Sequence, residues 1–292
     1  MKKILITGAT GNLGKEVVNF LLRKGDKKAV VALARNESNA SDLIAKGIEV
    51  RIGDYDSYPS LVKAFSGIDK LYFVSGSDVV KRGAQHKNVV KAAKECGVKH
   101  VVYTSFQRSN ETASSPIAMV ARVHLDTEQM LKESGMAYTI LKHTLYLDML
   151  PMFMGDKVLE TGTIFLPAGE GKVSYVLRKD LAEAAANILL SSGHENKIYE
   201  FSASTSISFK EIAAVLADLS GKTIKYVSPS QEEFQQAMSN AGVPAEIIGT
   251  VTAFCGGIKQ GEFDHPTATL TEILQREPVS VKDYLADAYH LA

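Results

Sequence analysis

The sequence predicts an α/β protein: a Rossmann-type doubly wound parallel sheet followed by a smaller, mostly helical C-terminal lobe. Three observations carry that expectation. Short apolar runs alternate with amphipathic helical patterns through the first half of the chain. The first of these runs opens a G-x-x-G-x-x-G turn. Beyond residue 150, glycines and prolines break the rhythm before helical patterns resume.

Taken in order, the strand at 4–6 is Ile-Leu-Ile, and it leads into Gly8, Gly11 and Gly14. Gly8 lets the backbone turn off the strand. Gly11 has no Cβ, so a pyrophosphate can approach the main chain. Gly14 lets the following helix pack close to the sheet. That helix carries Leu13, Val17, Val18, Leu21 and Leu22 on one face and stops at Arg23-Lys24-Gly25. Its N-terminus offers free N–H groups and a partial positive charge to phosphates. Further strands are predicted at 29–34, 48–52, 70–74, 100–104 and 138–141, and helices at 42–46, 58–65, 82–96 and 120–133. Right-handed crossovers bring the C-terminal ends of the strands to one edge, where such sheets bind ligands.

The second half predicts a strand at 173–177, a helix at 181–190 capped by Asp180, and a strand at 198–201 returning to the main sheet. A helix at 208–219 starts with a Ser208/Glu211 capping box, a short strand follows at 224–227, and helices continue to 290. The expected division is a dinucleotide-binding domain over 1–150, completed by the strand near 198–201, and a substrate lobe over 151–292.

Composition narrows the partners. The 292 residues balance 33 Lys and Arg against 33 Asp and Glu, so nothing calls for nucleic acid. Two cysteines, Cys96 and Cys255, stand far apart in no metal-like spacing, which reads as reduced thiols and no metal. No apolar run is long enough to span a bilayer, and the first residues do not read as a signal peptide. A cytoplasmic protein without a membrane partner is expected; a homodimer stays open.

Candidate cofactor residues follow from the strand ends. Thr10, Gly11, Asn12 and Leu13 belong to the turn. Arg35 closes the second strand, about twenty residues past the last glycine, where an acid would favour NAD. A guanidinium there attracts the 2′-phosphate of NADP, with Asn36 beside it. Asp54 and Tyr55 end the third strand and face the adenine. Val74, Ser75 and Gly76 follow the fourth strand, beside the nicotinamide ribose. Thr104, Ser105 and Phe106 follow the fifth, near the reacting ring. Taken singly, each of these positions also reads as an ordinary turn, cap or packing residue.

Tyr138 and Lys142 imitate the tyrosine–lysine pair of proton-donating dehydrogenases. That pair needs one helix face, about 6 Å apart along the axis. Here it lies on a predicted strand, where four residues span roughly 13 Å. The preceding helix offers His124 and Glu128 at i and i+4 instead. His124 reads either as a proton or hydrogen-bond donor in the cleft or as a structural histidine paired with Glu128.

The opening Ile-Thr-Gly-Ala-Thr-Gly-Asn-Leu-Gly, the Ala-Arg-Asn after the second strand and the run from His124 to Leu141 resemble the NmrA-like branch of atypical short-chain dehydrogenase/reductases. Ala168-Gly-Glu-Gly-Lys and Gly193-His-Glu-Asn-Lys-Ile-Tyr-Glu are similar to later segments of that family. The resemblance covers nearly the whole chain. It implies NADP(H) without flavin and direct hydride transfer to a quinone or related activated carbonyl, a reaction that needs little acid catalysis. Phe106, His143, Tyr146, Met149 and Phe153 are then the expected substrate contacts, with His124 and Tyr146 as catalytic candidates. The sequence departs from the quinone-reducing members at His143, where they carry asparagine. Other family members imply a different role, an NADP-sensing regulator without turnover. A reductase of phenylpropanoid-like ethers would need a lysine where Ala121-Arg122-Val123-His124 offers none.

Overall fold

The computed structural model describes residues 2–155 and 157–291. Its main sheet is parallel throughout, with seven strands in the order β3-β2-β1-β4-β5-β6-β9. The strands are β1 (Ile4–Ile6), β2 (Val30–Ala34), β3 (Glu49–Ile52), β4 (Lys70–Phe73), β5 (His100–Phe106), β6 (Ala137–His143) and, much later, β9 (Lys197–Phe201). Helices α1 (Asn12–Lys24), α2 (Ser41–Ala45), α3 (Tyr58–Phe65), α4 (Arg82–Glu95) and α5 (Ala118–Glu133) make the crossovers. Apolar strands such as Ile-Leu-Ile of β1, buried throughout, suit a sheet covered on both faces. Leu5, Val31, Phe73 and Tyr103 pack toward α3 and α4, and Ile6, Ala32, Tyr72 and Val102 toward α1. The strand order reverses beside β1, which is where such sheets open a crevice.

After β6 the chain leaves the sheet through α6 (Leu150–Met154), α7 (Val158–Thr161), β7 (Thr163–Phe165) and β8 (Lys172–Val173). It returns through α8 (Arg178–Leu190) and β9, then leaves again through β10 (Ile207–Ser208), α9 (Phe209–Ser220) and β11 (Lys225–Val227). Helices α10 (Gln231–Asn240), α11 (Ala245–Lys259), α12 (Thr269–Leu274) and α13 (Val281–Ala288) follow. The Ser208/Glu211 capping box forms as the spacing predicts. A separate core holds Leu150, Ile164, Phe209, Leu216, Cys255 and Phe263.

Three expectations change. Asp180 does not cap α8: the helix starts at Arg178, behind Leu177, and the Asp180 carboxylate inside its first turn accepts from Arg276 and the Val279 N–H. The stretch 173–177 is not a continuous strand: β8 ends at Val173, and Val176 bridges to Tyr146. There the Val176 N–H reaches the Leu145 carbonyl, and its own carbonyl accepts from Leu147. The segment that Val176 meets therefore follows β6 rather than lying in the lobe. Helix α8, assigned from sequence to the lobe, packs on α1 through the apolar core shared with the sheet. Its alanine-rich face, Ala182, Ala184, Ala185 and Ala186, is fully buried and permits close approach.

Candidate functional site

The turn after β1 is a backbone construction. Gly8 has φ +59°, in the left-handed region, and a Cβ there would also press on Val74 at 3.1 Å. The Gly11 N–H donates to the Gly8 carbonyl at 2.9 Å, and Gly11 then caps α1 in extended conformation. A Cβ on Gly14 would lie 2.2 Å from the Gly8 carbonyl oxygen. The third glycine is thus demanded by the turn itself, not by the sheet as the sequence suggests. No side chain caps α1, so its positive end faces the space outside the strand ends.

That space is a cavity of about 820 Å³. Its walls include Gly8, Thr10, Gly11, Asn12, Leu13, Arg35, Asp54, Tyr55, Val74, Ser75, Gly76, Thr104 and Ser105 from the predicted cofactor set. Phe106, His124, Tyr146, Met149 and Phe153 line it as well. His143 does not. It is buried behind the wall, stacked on Phe201 at 6.0 Å, with Nδ1 3.4 Å from the Tyr146 hydroxyl. Burial pushes its imidazole down to about 3. The last residue of β6 meets β9, whose existence as a neighbour turns that side chain into core.

Several side chains offer less than their names suggest. The Tyr55 hydroxyl points inward, donating to the Val74 carbonyl at 2.8 Å with the Thr7 hydroxyl beside it, so Tyr55 gives the cavity its ring. Thr104 Oγ1 accepts from the Ser75 N–H at 2.9 Å. The Ser105 hydroxyl is turned to Glu128. Asp54 Oδ1 accepts from the Asp56 N–H, and Asn36 Oδ1 is held by Ser38 and the Asn39 N–H. Arg35 is exposed and makes no hydrogen bond or ion pair to the described residues, so its guanidinium is free for a ligand. Tyr138 and Lys142 do lie on a strand, β6, and Lys142 pairs with Glu200 at 3.1 Å.

His124 does not pair with Glu128. Its Nδ1 lies 2.7 Å from the buried Tyr103 hydroxyl, and its ring stacks on Phe106 at 5.8 Å. Burial first, then the nearby Arg82 charge, holds the imidazole well below its usual range. Glu128 instead takes Arg108 in a two-pronged ion pair at 2.9 and 3.0 Å. Arg108 also donates to the Phe106 carbonyl at 2.7 Å, which braces the end of β5 against α5. The Arg108 side chain is 0% exposed and that of Glu128 4%. Glu128→Leu leaves the buried guanidinium with only the exposed Glu111 carboxylate, at 3.0 Å, as a counter-charge, and is expected to cost about 3 kcal/mol. Thermal unfolding measures it, and an unchanged melting temperature contradicts the bracing role.

The sequence reading missed Lys81, Arg82, Met152, Arg178 and Phe254, which also line the cavity. Arg82 opens α4, the helix that follows β4, nine residues beyond the end of that strand. Its Nε is buried without a partner among the described residues. Arg178 donates to Asp148 at 2.7 Å and lies over the Tyr146 ring at 5.2 Å. Phe254 arrives from α11 and has no local signal. Burial drives the Tyr146 phenol up to about 12, so it stays protonated. Among the described residues no His, Cys, Asp or Glu group could hold a metal, and no helix is long and apolar enough to cross a membrane.

A parallel sheet with a glycine turn at its switch point and a cavity along the strand ends defines a Rossmann-type nucleotide fold. The chain belongs to the NmrA-like family, whose family model matches residues 1–285. It is 36% identical over 280 residues to quinone oxidoreductase 2 of Escherichia coli, covering 92% of this chain and 96% of that one. The structure of the E. coli NADPH-dependent quinone oxidoreductase complexed with NADPH superposes with a TM-score of 0.92 at 33% identity, over 98% of this chain and 99% of that one. The Citrobacter triphenylmethane reductase complexed with NADP(H) gives 0.91 at 37% identity, over 98% and 100%. An NAD(P)H azoreductase of Xenophilus azovorans is 33% identical over 246 residues, 84% of this chain and 83% of that one.

Proposed function

We propose that this protein is an NADPH-dependent reductase that passes hydride directly to a quinone or related activated carbonyl, without flavin. The observation that carries the reading is one continuous cavity with two different halves. One half is a main-chain cradle with a free arginine; the other is a wall of Phe106, Tyr146, Met149, Phe153 and Phe254. Relatives above 30% identity bear the names of a quinone oxidoreductase and an azoreductase, which supports an NAD(P)H-dependent oxidoreductase as the class.

The cradle fits a dinucleotide, since a Cβ at Gly8 or Gly14 would fill or break it. Gly11, Asn12 and Leu13 would hold the pyrophosphate at the α1 N-terminus. Arg35 would take the 2′-phosphate, the ring of Tyr55 would flank the adenine, and Ser75 and Gly76 would meet the nicotinamide ribose. When bound, NADPH supplies the hydride. The chain's own residues orient the acceptor, exclude water and meet the charge that develops on it. Residues 1–150 with β9 form the nucleotide-holding part and also carry Phe106, Tyr146 and Met149 of the apolar wall, and the remaining C-terminal residues add Phe153 and Phe254.

Steady NADPH oxidation with a panel of quinones, by purified protein whose absorption spectrum shows no flavin, tests the reading. Turnover is expected; none at NADPH saturation would leave a dinucleotide-sensing role. Arg35→Asp removes a charge-assisted phosphate contact and adds repulsion. It is expected to weaken NADPH binding roughly tenfold to a hundredfold while sparing NADH. Equal NADPH dissociation constants in both proteins contradict the assignment.

A further inference from the structure

We propose that His124 acts on the bound acceptor as a neutral hydrogen-bond donor through Nε2–H, with its tautomer fixed by Tyr103. The acceptor's identity rests on the reductase reading above; the tautomer rests on geometry alone.

A main-chain N–H can only donate, and one such group fixes the protons of the histidines here. The Gly76 N–H points at His86 Nε2, 3.0 Å away. That nitrogen must accept, so the proton of His86 sits on Nδ1. His86 Nδ1–H donates to Thr127 Oγ1 at 2.8 Å, and the Thr127 hydroxyl hydrogen goes to the Val123 carbonyl at 2.7 Å. The Tyr103 hydroxyl has two ring nitrogens near it, His86 Nδ1 at 3.5 Å and His124 Nδ1 at 2.7 Å. The first already carries a proton and cannot accept. The Thr127 and Ser75 hydroxyls also lie beside the phenol, but its one short contact among the described residues is to His124 Nδ1 at 2.7 Å, so Tyr103 O–H donates there and His124 keeps its proton on Nε2. No described residue hydrogen-bonds that nitrogen, and the ring forms part of the cavity wall. His86, Tyr103 and Thr127 are fully buried, so water does not scramble the order.

Charge decides between donating a hydrogen bond and giving up a proton. Around His124 stand Arg82 and His86 from α4, Tyr103 from β5, Arg108 just beyond it, and His143 from β6. Glu128, one turn along α5, is occupied by Arg108 and Ser105. Burial and these neighbours hold the imidazole neutral, and burial holds the Tyr103 phenol above its ordinary range. Neither group has a proton to spare. Hydride addition carries two electrons and one hydrogen nucleus and turns a quinone into the hydroquinone monoanion. The charge gathering on its oxygen is met by Nε2–H, and the one proton still needed comes from solvent. This is electrostatic stabilisation rather than general acid catalysis. Tyr103 and His86 are positioning residues, and Gly76 ties their order to the loop at the nucleotide half of the cavity.

Nitrogen-15 NMR of histidine-labelled protein, without cofactor, reads the tautomer directly. From about pH 6 to 8 His124 is expected to show a protonated Nε2 and a hydrogen-bonded, unprotonated Nδ1, with no titration. In Tyr103→Phe the two nitrogens are expected to average between tautomers. A proton on Nδ1 in the wild type, or an imidazolium in that range, overturns the proposal. Kinetics supply the second arm. His124→Leu is expected to lose about 10²–10³-fold in kcat, whereas His124→Gln, which keeps an N–H donor, stays within about tenfold of wild type. Tyr103→Phe is expected to lower kcat about tenfold and leave KM for NADPH unchanged. Equal losses in the Gln and Leu variants would mean that a proton must be transferred, and the donor role falls. If the wild type reduces no quinone, the reductase reading fails while the spectrum still decides the tautomer.

Discussion

Below about pH 6 the protein is expected to unfold far more easily than at neutral pH. Four histidines are buried and held neutral by the fold. Burial pushes His86 and His143 down to about 3 and His100 to about 4, and takes His124 well below its usual range. In the unfolded chain each would bind a proton near pH 6.5. Their folded-state values are depressed, so the stability they permit is complete above the unfolded value and lost as pH falls below it. Between about pH 7.5 and 5.5 each histidine costs about 1.4 kcal/mol, roughly 5 kcal/mol for the four together. That is of the order of the whole stability of a marginal domain. Denaturant unfolding at the two pH values measures it. An unchanged midpoint would show that the fold accepts these protons.

Gly11→Val is expected to fold as the wild type does and to bind NADPH at least about a hundredfold more weakly, two factors of ten or roughly 2.7 kcal/mol. Gly11 has ordinary negative φ, and a Cβ there meets only the Gly8 carbonyl, at 3.4 Å. The backbone therefore tolerates the change, but the side chain enters the space proposed for the pyrophosphate. Circular dichroism and titration calorimetry separate the two effects. Undiminished binding in a folded variant would place the phosphates elsewhere. Gly14→Ala is the contrasting change, since its Cβ would strike the Gly8 carbonyl at 2.2 Å and disturb the turn itself.

The parts of this molecule that were legible in the sequence are those written in local pattern. Gly8, Gly11 and Gly14 announced the turn because each spacing answers one backbone requirement. The strand ends could be ranked along one edge because crossover handedness is fixed. Tyr138 and Lys142 could be set aside because a strand separates what a helix would join. What stayed hidden depends on partners distant in sequence. The resemblance puts His143, just past the predicted sixth strand, at the substrate; β9, over fifty residues later, covers it. His124 was expected to choose between the cleft and Glu128, yet its partner is Tyr103, across the α5–sheet interface. Phe254 and Arg178 reach the cavity from α11 and α8, and nothing near them in the chain signals a ligand.

The return of the chain through α8 and β9 has a consequence during synthesis. A nascent chain that has emerged only as far as β6 presents an open parallel edge from Thr139 to His143. It also leaves the α1 flank that α8 will cover exposed to water. Unpaired edges of this kind recruit other strands, and incomplete intermediates of larger proteins aggregate by the same route. The nucleotide-holding half therefore cannot close in the order in which it is translated. It waits until Phe201 has cleared the ribosome, with β7, β8 and the connecting loops already emerged but not yet seated. Slow translation between His143 and Lys197 would prolong the vulnerable interval, and a ribosome paused there is where a chaperone would find the most to hold.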